Sequence, residues 1–341
     1  MNLTPAMINA QIAKGDFRPH TALTNMAMAY YQKADDYFAK AIFPTCRVQQ
    51  SADSFYVFNK EDLLRDSWQR KPEYGYVMPA VVSEHTETYN CEVYQMIMGI
   101  SQIRQTDLNR RQAPSTADPR VQRTKTIAEQ ANIHQDKKFA SKFFKTGIWT
   151  NEWTGVDGTT PSDKQFIKFS SDNSDPVKFI ADRRKDMREQ TGRTPNRLAL
   201  GANVFNSLCN HAGILERVKY SGSTANPATI TKNVLAQLFG VEKLVVMESI
   251  MNSANMGAEA QMGFIGDPDA MLLAYATNAP SIDEPSAGYI FTWDMLGNGQ
   301  HLPIIHRVKS DASHAEEVEG LMAYDMRKTA DDLGMFFKEV V

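Results

Sequence analysis

The sequence predicts an α+β chain: a compact α/β unit inserted into a frame that is mostly β, with long elements projecting from it. Three observations carry this expectation. Residues 195–280 alternate short apolar runs with helices that stop on glycine, as in "LAQLFGVEKLVVMES" at 235–249. Residues 287–341 read mostly as strands: "GYIFTWDM", "LPIIHRV", "GLMAYDM" and "GMFFKEVV". Between residues 47 and 100, two strand-like runs flank an irregular polar middle and make a long hairpin. An excursion of that length from a compact domain tends to be functional.

The chain has 341 residues, 42% of them apolar and 23% charged. That is the composition of a folded globular protein, not of a disordered one. The length fits two or three domains, or one elaborated domain. A net charge of −3 excludes a globally basic nucleic-acid binder but leaves room for a basic patch. Cys46, Cys91 and Cys209 are far apart and form no CxxC, which suits reduced thiols in a cytosolic setting. No apolar run reaches the roughly 18–20 residues that span a bilayer. The N-terminal residues lack the basic-then-apolar layout of a signal peptide.

Taken in order, residues 1–46 read as an arm containing a helix. Leu23, Met26, Tyr30 and Phe38 recur at helical spacing, and Pro44 ends the pattern. "DSFYVFNK" is a short aromatic strand. "EDLLRDSWQRKPEYGYVMPAVV" then has neither a period of 3.6 nor of 2. "ETYNCEVYQMIMGIS" alternates, with Tyr89, Cys91 and Val93 on one face and Thr88, Asn90 and Glu92 on the other. Residues 118–146 predict a long helix, with Asp118 as cap and Pro119 in the first turn. Its stripe is Ala128, Ala131, Gln135, Phe139 and Phe143. Its high polarity places most of it across a surface or between subunits and not in a core. Residues 147–173 are loop and short strand. A helix from Asp175 to Thr191 starts at Pro176 and ends at Gly192. The α/β unit then runs strand ("NRLALG"), helix ("NVFNSLCNH"), helix ("ATITKNVLAQLFG"), strand ("VEKLVVME"), polar loop, and two strands ("MGFIG", "MLLAYAT").

Reactive constellations are sparse. The sequence holds no HExxH, zinc-type Cys/His spacing, GxSxG, Walker A or GxGxxG. His301 and His306 flank a strand at odd separation and would point to opposite faces. Cys209 and His211 are two apart on a helix and do not face each other. The adjacent carboxylates Asp35-Asp36, Glu316-Glu317-Glu319 and Asp331-Asp332 read as solvated faces. No catalytic residue, cofactor site or metal site is assigned.

Charge is unevenly spread. Residues 104–147 carry a net +6, whereas residues 311–341 carry a net −5. Either these are two solvated surfaces, or they are complementary patches on neighbouring copies, or the basic one faces phosphates. Arg120, Arg123, Lys137, Lys138 and Lys142 make up the candidate DNA-facing or inter-subunit basic face. In the hairpin's middle, Arg65, Asp66, Trp68, Arg70 and Lys71 are the candidate inter-subunit contacts, with Trp68 as a packing anchor.

The stretch "TPNRLALGANVFNSLCNHAGILERVKYSGSTANPATITKNVLAQLFGVEKLVVMES", residues 194–249, is similar to the axial domain of the major capsid proteins of tailed double-stranded DNA bacteriophages. The ending "ADDLGMFFKEVV" looks like the C-terminal strand of that family. The order of parts over nearly the whole chain also resembles it, and the same fold builds herpesvirus capsid floors and encapsulin shells. The resemblance implies an N-terminal arm over 1–46 and an extended β-hairpin loop over 47–95. It implies a peripheral domain over 96–193 and 281–341, with 118–146 as spine helix, and an inserted α/β axial domain over 194–280. It further implies a non-enzymatic shell protein of the virion that assembles in the host cytoplasm into hexamers and pentamers of an icosahedral shell around double-stranded DNA. The partners implied are other copies of the chain, DNA held without sequence preference, a separate scaffolding protein, a portal and decoration proteins, but no membrane. Two alternatives stand beside it: an encapsulin-like nanocompartment, and an α/β enzyme with a loop-built site in 195–280.

Overall fold

A computed structural model describes residues 32–58, 60–110, 118–158, 160–221, 230–255, 257–280, 284–295, 304–308 and 315–341. The chain divides into two compact units. The smaller takes in Met1–Gln32, Tyr94–Ala131 and Leu302–Met322, and the larger takes in Lys33–Val93, Asn132–His301 and Ala323–Val341.

The larger unit is built on a six-stranded mixed sheet, ordered β6-β5-β15-β11-β7-β8. Its strands are β5 (Glu152–Val156), β6 (Gln165–Ile167), β7 (Arg197–Gly201), β8 (Lys243–Met247), β11 (Met271–Ala274) and β15 (Gly334–Lys338). β7 and β8 run parallel, Leu198 opposite Leu244 and Leu200 opposite Val246. Both are unbroken apolar runs because both of their faces are covered. Ile180 and Met187 of α5 (Pro176–Thr191), Val204 and Leu208 of α6 (Ala202–Asn210), Ile214 and Val218 of α7 (Ala212–Ser221), and Leu235 and Phe239 of α8 (Lys232–Phe239) all join the same core. The helix ends follow local chemistry. Asp175 accepts from the Lys178 amide at 3.1 Å at the start of α5, and Thr231 accepts from the Val234 amide at the start of α8. Gly192 and Gly240 end the two helices in the left-handed region, at φ of 71° and 66°.

The same unit contains β1 (Thr45–Val48), parallel to β12 (Gly288–Trp293), which pairs in turn with residues 324–328 of β14 (Ala315–Lys328), and the short antiparallel pair β9 (Ile250–Asn252) and β10 (Met262–Phe264). The hairpin strands β2 (Ala52–Phe58) and β3 (Glu84–Asn90) pair antiparallel from Ala52 opposite Asn90 to Phe58 opposite Glu84. In the smaller unit, β13 (Ile304–Val308) pairs with residues 316–320 of β14. β4 (Glu92–Ser101) also pairs with β14. Ile100, Ile127 and Val318 form that unit's buried cluster, with Met96 and Met98 against it.

Several expectations are corrected. Leu23, Met26 and Tyr30 of the expected arm helix lie outside the described residues. Within them the helix is not continuous: a 3-10 turn at Ala34–Asp36 is followed by extended Tyr37 and then the short α1 (Ala39–Ile42). The long strand is two strands, because the Cys91 amide bonds to the Ser51 carbonyl at 2.7 Å and the burial phase flips there. Tyr89 and Cys91 are buried but Val93 is exposed. A helix that the periodicity did not show, α3, covers Gln102–Arg110. The long helix α4 (Pro119–Phe143) is not a surface rod: Phe139 and Phe143 are fully buried against Phe43, with ring centroids 5.2 and 4.9 Å away. Among the described residues no helix is long and apolar enough to cross a membrane.

Candidate subunit interface

The hairpin has an anchored root and an uncovered tip. At the root the Tyr89 ring stacks on Phe291 at 4.7 Å, with Phe55 packed beside them at 5.5 Å from Phe291. The Asn90 amide donates to Asp325, and Trp293 Nε1 donates to the Gln49 carbonyl. Beyond Phe58, Lys60 of the one-turn helix α2 (Lys60–Leu63) pairs with Asp332, and Asp62 accepts from the backbone and hydroxyl of Ser83, which ties the two ends of the excursion together.

Residues 64–83 then project without regular structure. Arg65, Asp66, Arg70 and Lys71 are all exposed. Asp66 accepts from the Trp68 amide, a local turn that presents the indole outward. Trp68 is 95% exposed, Tyr74 95% and Tyr76 86%, and Leu64, Met78 and Val81 are exposed beside them. Sequence reasoning singled out Trp68 and the charges but missed Tyr74, Tyr76, Met78 and Val81. The available signal was the alternation of Tyr74, Tyr76 and Met78 between Pro72 and Pro79, too short to stand out within the irregular stretch. Covering the three aromatics alone removes about 500 Å2 of mostly apolar surface, on the order of 10 kcal/mol before the costs of association. A chain that keeps so much apolar surface on one exposed segment has a candidate protein contact there.

The charge asymmetry resolves differently. Arg120 reaches Glu316 at 2.7 Å, and Lys142 reaches Asp325 at 2.8 Å. Both carboxylates are buried, so the basic helix and the acidic strand satisfy one another inside each unit. The hydrogen bond to Glu316 raises the Arg120 guanidinium above its ordinary value. Burial opposes ionisation of Asp325, but hydrogen bonds from Lys142, the Asn90 amide and Arg327 outweigh it and hold the carboxyl below its usual range. Lys138 lies 3.8 Å from Glu92. Of the five candidates for a basic face, Lys137 is exposed and Arg123 half-buried. His306 lies on β13, whereas His301 is outside the described residues. His211 Nδ1 accepts from the Gly213 amide and Nε2 lies 3.0 Å from the Ser174 hydroxyl, a structural role at a chain turn and not one shared with Cys209.

No family model matches the sequence. A major capsid protein of Burkholderia phage BcepMu is 24% identical over 238 residues, covering 67% of this chain and 68% of that one. A phage-related protein of Bordetella bronchiseptica RB50 superposes with a TM-score of 0.66 at 19% identity, over 91% of this chain and 94% of that one. The capsid of cyanophage P-SCSP1u gives a TM-score of 0.55 at 10% identity, over 99% of both chains. This chain has the phage major capsid protein fold. The encapsulin of Synechococcus elongatus PCC 7942 shares the architecture, with a TM-score of 0.53 at 8% identity over 100% of this chain and 96% of that one.

Proposed function

We propose that the chain is a structural major capsid protein, not an enzyme, which assembles with copies of itself into an icosahedral shell and so becomes part of a virion. The observation that carries this reading is the exposed hairpin tip, with Trp68, Tyr74 and Tyr76 unburied on a chain that has the capsid fold. The sequence likeness to a capsid protein favours a DNA-filled shell over an encapsulin-like compartment. Among the described residues of the α/β part, no group of His, Cys, Asp and Glu gathers that could hold a metal ion, so a loop-built enzyme in 195–280 finds no support there.

Within this reading, residues 1–46 are the arm, 47–95 the extended loop, and 96–193 with 281–341 the peripheral domain. Residues 194–280 are the axial domain. The subunits form hexamers and pentamers. Assembly takes place in the host cytoplasm with a separate scaffolding protein and a portal, and decoration proteins bind the finished shell. Packaged DNA meets the shell by sparse, sequence-blind charge contacts. Arg120 and Lys142 already neutralise carboxylates of their own chain and are less available to phosphate. Negative-stain microscopy of the purified protein tests the reading. It predicts closed particles or ring-shaped capsomers that co-purify with nucleic acid or a scaffold. A strictly monomeric species under assembly conditions contradicts it, and particles filled with an enzyme cargo favour the nanocompartment.

A further inference from the structure

The arm root and the hairpin root are each held by a buried carboxylate, and the two sit in opposite electrostatic settings. Asp136 of α4 is 1% exposed. Its Oδ1 accepts from the Ala39 amide at 2.9 Å, both oxygens accept from the Phe38 amide at 3.3 Å, and Oδ2 accepts from the Ser249 hydroxyl at 2.9 Å. It thus supplies from another element the cap that Phe38, at the start of α1, cannot supply itself. All of these donors are neutral. Lys40 is the charged side chain that acts on Asp136 among the described residues, and burial pushes its own ammonium below the ordinary value. Asp325 instead holds Lys142 Nζ at 2.8 Å and Arg327 Nε at 2.6 Å, together with the Asn90 amide of the hairpin root at 3.1 Å.

We infer that Asp136 is a proton-linked latch on the root of the N-terminal arm, tight when neutral and loosened by ionisation, while the Asp325 latch on the hairpin root stays closed over the same range. When protonated, Asp136 can donate its O–H to Ser249 Oγ while its other oxygen still accepts from Ala39. Burial raises its carboxyl to about 6 despite the hydrogen bonds and Lys40. An opened root returns the group to solvent and the usual carboxylate range. Protons therefore bind the latched form better, so the latch tightens as pH falls through about 6 and weakens as pH rises through it. Asp325 has the reverse sign, and its contribution is lost only as pH falls below the usual carboxylate range. The inference concerns a single subunit and stands whether or not the chain forms a shell.

Hydrogen exchange at the Phe38 and Ala39 amides, corrected for intrinsic rates, tests it on the full-length protein. The expected opening constant is about tenfold larger near pH 8 than near pH 5, with Asn90 unchanged. In Asp136→Asn the pH dependence should vanish, because the amide stays neutral. Ser249→Ala keeps the carboxylate but removes a donor, so its transition should move to higher pH, and it serves as the test if the Asn variant fails to fold. A flat wild-type profile, protection that rises with pH, or an unaltered slope in Asp136→Asn with an unmoved transition in Ser249→Ala overturns the inference.

Discussion

Two stretches of similar letters meet opposite fates. "KLVVM" at 243–247 places Leu244, Val245, Val246 and Met247 in the sheet core, all buried. "VMPAVV" at 77–82 places Met78, Val81 and Val82 on the outside of the hairpin tip. The first stretch lies between helices and strands of its own chain. The second has Pro79, charged neighbours along the tip and no strand partner among the described residues, and the proposed shell would cover it with a neighbouring copy. Apolar content alone does not separate a core from an interface. What separates them is whether the chain carries enough following elements to close over the apolar run.

The comparison breaks most visibly if the tip is neutralised. The triple variant Trp68→Ala, Tyr74→Ala, Tyr76→Ala is expected to lose particle formation, with subunit affinity down by at least a thousandfold, about 4 kcal/mol. The melting of the unassembled subunit should move by less than the equivalent of about 1 kcal/mol. Size-exclusion chromatography with calorimetry of the dissociated subunit reads both. The opposite result is expected in the core. Leu198→Ala, at a fully buried position in β7, should cost about 3 kcal/mol of subunit stability in urea unfolding. Whatever folded protein remains should still assemble.

A smaller effect belongs to the hairpin root. Asp325→Ala removes the acceptor shared by Lys142, Arg327 and the Asn90 amide and should cost about 2 kcal/mol. Both cations keep partial access to water, which limits the loss. In the wild type the same contribution should fade as acid titration passes below the usual carboxylate range, seen as a falling melting temperature. The smallest effect is expected of the exposed tip charges. Arg65→Ala or Arg70→Ala should change affinity by about 0.5 kcal/mol or less. Their trace should appear chiefly in the salt dependence of the assembly rate, measured by light scattering.

Much of the α/β part was legible because its signals are local. Pro176, Gly192 and Gly240 mark helix ends whatever surrounds them, and unbroken runs such as "LALG" and "LVVM" mark covered strands. The strand order was not legible, since β15 from the C-terminus lies between β5 and β11, a pairing that only the folded chain decides. The break at Cys91 escaped because a single backbone bond to Ser51 resets the alternation. Asp136 escaped because a charged residue in a polar helix looks solvated until the Phe38 and Ala39 amides close over it. For the candidate interface, the charges around Trp68 were visible, whereas Tyr74 and Tyr76 lay in an alternation cut short by Pro72 and Pro79.

The most direct measurement is hydroxyl-radical footprinting of Trp68, Tyr74 and Tyr76 in assembled particles and in dissociated subunits. A chain whose hairpin tip is covered by a neighbour should show all three oxidised readily as a subunit and strongly protected in the particle, with Trp149 protected in both. Equal oxidation of the three aromatics in particle and subunit would contradict the account.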